Sequence, residues 1–321
     1  MKPHELSNRK IQHPISSAIH HLFTRTVNVR HETERPAMPS IPAAKPQTPS
    51  RIPTQPALRS SAEWVAHFKR NATLQRPIPW ELGANITPAE LAEISASLRG
   101  WQLGETSDGS HLLAAAKSYS ESIGDPDFIE AARHFIIEEQ RHGEMLGRFL
   151  DLAQVPRAGS DWGDTLFRAL RYAMPRMELW VTPVLMVETH AMIYYNALRR
   201  ATSSPVLIAI CRQILADEVP HIRFQCERLA ILHRNRPRPL LHLTIALQKI
   251  LFIAISVAIW IGHRRALRAG GYHFPIFWRS AWRKMNRAWR LMSPDSYQPI
   301  SQEIERTQSN SHRLAHEPSR P

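Results

Sequence analysis

The sequence predicts an all-α protein. Apolar residues recur at helical spacing through most of residues 88–292, and helix-capping and turn residues bound the individual stretches. No stretch of useful length alternates apolar and polar residues as a strand would. With 43% hydrophobic residues in 321, the chain can bury a sizeable core in one large or two ordinary domains.

The two ends of the chain differ from this helical region. Residues 1–60 are rich in Pro, Ser, Thr and Gln, with seven prolines between Pro36 and Pro56. Such a segment buries too little apolar surface to fold, so we predict a disordered arm that any site can lose without harm. The polar tail, residues 293–321, is also predicted to be disordered. Residues 61–238 then form a helical domain, and residues 239–292 form a hydrophobic and basic helical extension.

Four long helices are predicted in the helical domain. The first helix begins with Thr87 as N-cap and Glu90 as its partner in a capping box. Its helical structure is weakest at Gly100, Gly104 and Gly109. Turn residues separate the first helix from the second and the third from the fourth, and a crossover joins the two pairs. The predicted ranges are 88–121, 127–152, 176–200 and 205–234.

Two Glu-x-x-His motifs lie in the second and fourth of these helices. They are Glu139 to His142 and Glu218 to His221, and a second acid, Glu138 or Asp217, precedes each. At positions i and i+3 a carboxylate and an imidazole share one helix face, so each pair can bind one transition-metal ion. Two copies therefore predict two ions between facing helices.

A lone glutamate lies opposite each motif. In an antiparallel hairpin, residues equidistant from the turn face each other. Glu105 and Glu139 are equidistant from the turn at residues 122–126, and Glu188 and Glu218 from the turn at residues 202–205. Both hairpins thus place a single Glu against a Glu-x-x-His motif. Four carboxylates and two imidazoles with open positions suit iron or manganese better than structural zinc.

This order of Glu, Glu-x-x-His, Glu and Glu-x-x-His resembles the ferritin-like superfamily in its rubrerythrin-type pattern. The resemblance covers about residues 87–235. It implies an antiparallel four-helix bundle with a long crossover and a di-iron carboxylate site, in which Mn or a mixed Fe/Mn pair would fit the same ligands. The implied ligands are Glu105, Glu139, His142, Glu188, Glu218 and His221.

Three neighbours are candidates to support the ligands through hydrogen bonds. Asp108 follows Glu105 by one turn, Asp217 precedes His221 by one turn, and Tyr195 follows Glu188 by two turns. Residues so placed are more often ordinary surface or packing residues.

The resemblance implies a di-iron oxidoreductase that acts with O2 or peroxide on an unknown substrate. No Cys-x-x-Cys pair follows the bundle, so the rubredoxin-like electron carrier of rubrerythrins is absent from this sequence. If the site turns over, we expect its electrons to come from a separate electron donor or from the substrate. One alternative is a non-catalytic or ferroxidase-type iron-binding protein. A second is an RNA-associated di-iron hydroxylase. The sequence assigns no residue a catalytic role beyond the metal ligands.

Composition bears on location and partners. Cys211 and Cys226 lie four turns apart on one predicted helix and cannot bridge to each other, which favours a reducing, cytoplasmic location. The first 30 residues lack the apolar run of a secretory signal.

The positive charge is concentrated in one segment. From Arg228 to Pro294 there are thirteen Lys and Arg and no Asp or Glu, so this segment alone carries a charge equal to the net charge of +13. Such a block favours an anionic membrane surface, or less strongly a nucleic acid.

Two helices are predicted in the extension, at residues 240–267 and 275–292. The first contains a twelve-residue apolar run, 250–261, broken only by Ser256, and can either close the bundle or span a membrane. In the second, Trp and Met residues form one stripe beside a face of arginines. Such a helix lies in lipid headgroups, packs on the bundle or contacts RNA. The stripe consists of Trp278, Trp282, Met285, Trp289 and Met292.

Overall fold

The computed structural model describes residues 55–106, 109–163, 165 and 176–298, and these residues fold as helices and connecting segments with no strand among them. The prediction of an all-α protein is therefore confirmed. Short 3-10 helices at Trp80–Leu82 and Pro294–Ser296 supplement eight described α-helices: α1 (Ser61–Thr73), α2 (Pro88–Glu105), α3 (Ser110–Ile123), α4 (Asp127–Leu152), α5 (Met177–Arg200), α6 (Pro205–His233), α7 (Arg238–Ala269) and α8 (Phe274–Leu291).

Local capping explains where these helices begin. The Thr87 hydroxyl accepts a hydrogen bond from the backbone N–H of Glu90, whose carboxylate accepts one from the N–H of Thr87. Ser60 and Glu63 form the same capping box at α1. These side chains satisfy donors that the first turn of a helix leaves without a partner.

The predicted first helix is two helices. α2 ends at Glu105 and α3 begins at Ser110, with Gly109 in the left-handed region at φ +68°. A side chain at Gly109 would also meet Ile136 of α4 at 2.6 Å. The break makes Glu105 the last residue of α2, rather than a residue inside a long helix as predicted.

Two large apolar clusters form most of the core of the described residues, and both α4 and α6 pass from one cluster to the other. On α4, Ile136 belongs to the first cluster and Met145 to the second. On α6, Ile214 belongs to the second and Phe224 to the first. The buried polar residues of the helical domain concentrate where the clusters meet.

The extension packs on the helical domain. α7 lies against α2 and α5, and α8 lies against α5 and α6. The predicted Trp and Met stripe of α8 faces inward: Met285 and Met292 are buried, and Trp282 packs edge-on against Phe252 of α7 at 5.2 Å. Among the described helices, α7 is long and apolar enough to cross a membrane.

Most of the predicted N-terminal arm and C-terminal tail lies outside the described residues. The described parts of the two segments lie side by side. The N–H of Gln298 donates to the carbonyl of Pro56 at 3.2 Å, and the buried side chains of Leu58 and Tyr297 share a small cluster with Ala230. Residues 55–60 and 293–298, which were predicted to belong to the disordered arm and tail, therefore include side chains packed in the core.

Candidate metal centre

The six ligands implied by the resemblance come together at the junction of the two core clusters. Each of four helices, α2, α4, α5 and α6, contributes at least one of them. Their side chains form two groups in which the potential ligand atoms all lie within 4.8 Å of one another. The first group is Glu105, Glu139, His142 and Glu218; the second is Glu139, Glu188, Glu218 and His221.

Glu139 and Glu218 belong to both groups, which gives the cluster the form of two adjoining sites with shared carboxylates. Each site then has one imidazole and one carboxylate of its own. Four carboxylates carry up to four negative charges, and two divalent cations would balance them. Without such compensation the burial of several ionised carboxylates in one place is costly.

Each histidine is oriented by an acid from the opposite motif. His142 Nε2 lies 3.1 Å from Asp217 Oδ2, and His221 Nε2 lies 2.9 Å from Glu138 Oε2. A carboxylate accepts, so each Nε2 donates. When the imidazole is neutral, its Nδ1 then carries the lone pair that a metal ion would bind. This crossed pairing is the carboxylate–histidine arrangement that fixes the tautomer of metal-binding imidazoles.

A side-chain amide links the two supporting acids, Glu138 and Asp217. Asn71 of α1 donates through its side-chain amide to Glu138 Oε1 at 2.6 Å and to Asp217 Oδ1 at 2.9 Å. The amide of Gln213 donates to both oxygens of Asp217 at 2.9 and 2.8 Å. Asn71 therefore couples α1 to the acids that precede both motifs.

The two lone glutamates are each held by one hydrogen bond. The Tyr195 hydroxyl donates to Glu105 Oε1 at 2.7 Å, and the Gln225 amide donates to Glu188 Oε1 at 2.5 Å. One oxygen of each carboxylate is thus fixed while the other is directed by the same bond into the cluster. Tyr195, which was predicted to support a ligand from its place after Glu188, contacts Glu105 instead.

Unpartnered buried atoms test whether a metal fits. Among the described residues, five polar atoms of this cluster are buried and make no hydrogen bond: Glu139 Oε1, His142 Nδ1, Glu188 Oε2, Glu218 Oε2 and His221 Nδ1. Glu139 Oε1 and His221 Nδ1 are 2.7 Å apart, an ion-pair contact without hydrogen-bond alignment. Buried polar atoms normally have partners, and five such atoms together are what bound metal would satisfy.

The pKa values of the carboxyl groups also indicate that the cluster needs positive charge. Burial, and then the charge of Glu139, raise the pKa of Glu188 to about 8, and the same two causes raise the pKa values of Glu105 and Glu218. Burial acts against ionisation of Glu139 as well, but the adjacent His221 holds its pKa at about 2. Three carboxyl groups with raised pKa values beside an ionised one indicate a site that requires positive charge.

Gly143 allows α2 and α4 to approach closely at this point. A Cβ at Gly143 would lie 2.8 Å from Thr106 Cγ2 and 3.1 Å from the carbonyl carbon of Glu105. Real Cβ atoms do not approach so near, so any larger residue would push the end of α2 away. Glycine at this position therefore lets Glu105 reach the neighbouring His142 and Glu139.

A cavity of about 390 Å³ opens from the cluster toward α7. Its lining includes the carboxylates of Glu105, Glu139, Glu188 and Glu218, and the other lining residues except Asp161 and His263 are apolar or glycine. Glu139 is the most exposed of the ligand candidates, with 21% of its side chain accessible, whereas both imidazoles have none. Access to the cluster therefore runs through this cavity and reaches Glu139.

Several supporting residues differ from the sequence prediction. Asp108 lies outside the described residues. Asp217 does support an imidazole, but that of His142 on the other helix, not His221. Glu138 and Asn71 were not predicted in this role. The position of Glu138, directly before a Glu-x-x-His motif as Asp217 is, was the signal that could have identified it.

No family model, curated protein or solved structure matches this chain.

Proposed function

We propose that this protein is a ferritin-like di-iron oxidoreductase that uses O2 or peroxide at a site of four glutamates and two histidines. The observation that carries the proposal is the pair of adjoining ligand groups that share Glu139 and Glu218. Shared carboxylates hold two cations close enough to act together, which one isolated acidic cluster does not do. The packing of α2 with α4 and of α5 with α6 supports the bundle with two helical hairpins that this fold requires.

The metals bound at such a site would supply the electrons that reduce O2 or peroxide. The residues of the chain would position and protect them. Glu139 and Glu218 would be ligands common to both groups, Glu105 and His142 would complete the first group, and Glu188 and His221 the second. The crossed contacts to Glu138 and Asp217 would keep both Nδ1 atoms unprotonated. Mixed oxygen and nitrogen ligands suit iron or manganese, in an Fe/Fe, Mn/Mn or mixed pair.

The cavity favours an oxidoreductase with an organic substrate over a ferroxidase. Apart from the four ligand glutamates, Asp161 and His263, the cavity is lined by apolar side chains and glycines, which suits an organic substrate better than the passage of iron ions. The same apolar lining disfavours RNA, whose phosphates and base edges need polar contacts. The electrons for repeated turnover would come from a separate reductase.

Reaction with oxidant tests the proposal. Full-length protein is loaded without oxygen with about two Fe(II) per chain and then mixed with O2 or hydrogen peroxide in a stopped-flow spectrometer. We expect iron oxidation much faster than for free Fe(II) in the same buffer, and repeated cycles of O2 consumption when a reducing mediator is added. Glu218→Ala should abolish both, while Glu144→Ala, at an exposed position of α4, should change neither.

The proposal fails if the loaded centre stays in the Fe(II) state with both oxidants. Iron oxidation that continues to many Fe(III) per chain without an electron donor would instead establish the ferroxidase alternative.

A further inference from the structure

We propose that the cavity beside the carboxylate cluster is the binding site for an apolar organic substrate. This inference rests on the proposed function for the reaction, but its evidence is the shape and lining of the cavity. The volume of about 390 Å³ falls in the lower part of the range for small-molecule sites. A few polar groups within mostly apolar walls are typical of a site that orients one reacting position of a largely hydrocarbon molecule.

The inner end of the cavity has atoms prepared for chemistry. Glu188 and Glu218 line it, their side chains are 4% and 1% exposed, and one oxygen of each makes no hydrogen bond among the described residues. Trp101, Val187 and Leu112 form apolar walls around them. An apolar molecule there would displace water from the face of the cluster at which an oxidant reacts.

Three small residues of α7 form one edge of the cavity. Ala254, Ala258 and Gly262 are spaced at i, i+4 and i+8 and therefore lie along one line of the helix. A Cβ on Gly262 would lie 3.4 Å from the ring of Trp162, which also lines the cavity and is 52% exposed. These small side chains leave space that larger ones would fill.

One substitution at this edge of the cavity should fill part of it, and the same substitution at the adjacent residue serves as the control. Ala258→Phe puts a ring into the cavity, while Val257→Phe adds the same ring at the adjacent position, which is 41% exposed and does not line the cavity. The probe is N-phenyl-1-naphthylamine, a neutral dye that fluoresces in apolar surroundings, with 1-decanol as competitor and glucose as the polar control. The protein is full-length and metal-loaded.

We expect saturable binding of one dye per chain, displacement by 1-decanol but not by glucose, and at least tenfold weaker binding to Ala258→Phe than to wild type and Val257→Phe. Circular dichroism and metal content show that each variant is folded. Absence of saturable binding, or equal binding to the two variants, would overturn the proposal. Dye binding needs no redox reaction, so loss of the proposed function would leave this result intact, and an active centre without dye binding would reject the apolar substrate alone.

The outer face of α7 carries a second, independent proposal: we infer that it rests on an anionic membrane. Seven large apolar residues on this face are between 41% and 65% exposed and extend over about 30 Å at 1.5 Å per residue. This set, which we call the outer stripe, consists of Leu240, Leu243, Leu247, Ile250, Ile253, Val257 and Ile261. An exposed apolar face of this length marks an interaction site.

The charges around the outer stripe identify an anionic membrane as its partner. Exposed Arg238 and Arg264 lie just beyond the two ends of the outer stripe, and no acidic residue occurs from Arg228 to Pro294. Cations at the ends of an apolar face match anionic headgroups above hydrocarbon. The other face of α7 is tied to the protein, since Ser256 contacts His190 of α5 at 2.9 Å and Gln248 accepts from Trp289 of α8 at 3.2 Å. We therefore place α7 along the membrane surface and not across it.

Flotation with vesicles tests this surface. Ile250→Glu adds a charge to the outer stripe, and Leu74→Glu adds the same charge at a residue with the same exposure, 65%, outside it. Wild type and Leu74→Glu should float with phosphatidylcholine–phosphatidylglycerol vesicles and Ile250→Glu should not. If wild type stays at the bottom of the gradient, or if Ile250→Glu floats as well as wild type, the proposal is wrong. A soluble dimer that Ile250→Glu dissociates, without flotation, would show that a second copy covers the stripe.

Discussion

The crossed histidine contacts predict that each supporting acid controls one metal site and not the other. Glu138 contacts His221, which belongs to the group with Glu188, and Asp217 contacts His142, which belongs to the group with Glu105. Neutralising Glu138 should therefore weaken the site that contains His221, although Glu138 and Glu139 are neighbours on α4.

The magnitude follows from the contact that changes. Glu138→Gln keeps an acceptor 2.9 Å from His221 Nε2 but removes its charge. A hydrogen bond to a charged group contributes about 1.5–3 kcal/mol and a neutral one about 0.5–1.5 kcal/mol, so the loss is about 1–1.5 kcal/mol, or roughly tenfold in affinity. Glu138→Ala removes the acceptor as well, and loss of such a partner weakens metal binding by roughly 10- to 100-fold.

The assay is competition of metal-free protein against a chromophoric chelator with Co(II) or Mn(II), fitted with two sites. Glu138→Gln should weaken one site about tenfold and Glu138→Ala further, with the other site nearly unchanged. Asp217→Asn should weaken the opposite site. Glu144→Gln, on the exposed face of α4, serves as the control and should match wild type. Equal weakening of both sites by Glu138→Gln, or none, would refute the crossed assignment.

Two further predictions concern how the extension is held. Gly270→Ala should lower the free energy of unfolding by several kcal/mol, roughly as overpacking of a core does, because a Cβ at Gly270 would lie 2.2 Å from the carbonyl oxygen of Ala197. Urea unfolding measures this change, and a decrease smaller than that of an ordinary surface substitution would contradict the packing of α7 on α5. Glu178 is paired with His233 and Arg236, and although burial acts in the opposite direction, these partners hold its pKa at about 2, below its usual 4.5. A depressed pKa stabilises the folded state above pH 4.5, and that stability is lost as the pH falls toward 2. Glu178→Gln should therefore lower the unfolding free energy by about 1–3 kcal/mol at pH 7 and by progressively less below pH 4.5. A difference in unfolding free energy that does not depend on pH would contradict the pairing.

Local signals predicted the long helices well. The predicted second helix, residues 127–152, has the observed bounds of α4, and the starts and ends of α5 and α6 differ from prediction by no more than one residue. Proline, capping side chains and turn residues mark these boundaries in the sequence itself. The break before α3 was missed because glycine is tolerated within helices at a cost of about 1 kcal/mol, and the clash with Ile136 that excludes a side chain at Gly109 depends on tertiary packing.

The same distinction applies to the candidate site. The two Glu-x-x-His motifs are local patterns, and each lone glutamate was located from its distance to one turn. The supporting contacts join residues far apart in the chain, such as Asn71 with Glu138 and Asp217, which are separated by 67 and 146 positions. No spacing rule in one sequence links such residues, since the contact depends on which helices face each other. The Trp stripe of α8 was similarly ambiguous, because burial against a helix and burial in lipid select the same pattern.

Metal content measures the central claim most directly. Full-length protein reconstituted with Fe(II) without oxygen and freed of loosely bound metal should contain close to two Fe per chain by elemental analysis. Glu139→Ala and Glu218→Ala, which remove the shared carboxylates, should lose most of that iron while circular dichroism shows that the helices remain, and Glu144→Ala should retain it. Protein that binds no transition metal, or only a single zinc with no uptake of iron, would contradict the account.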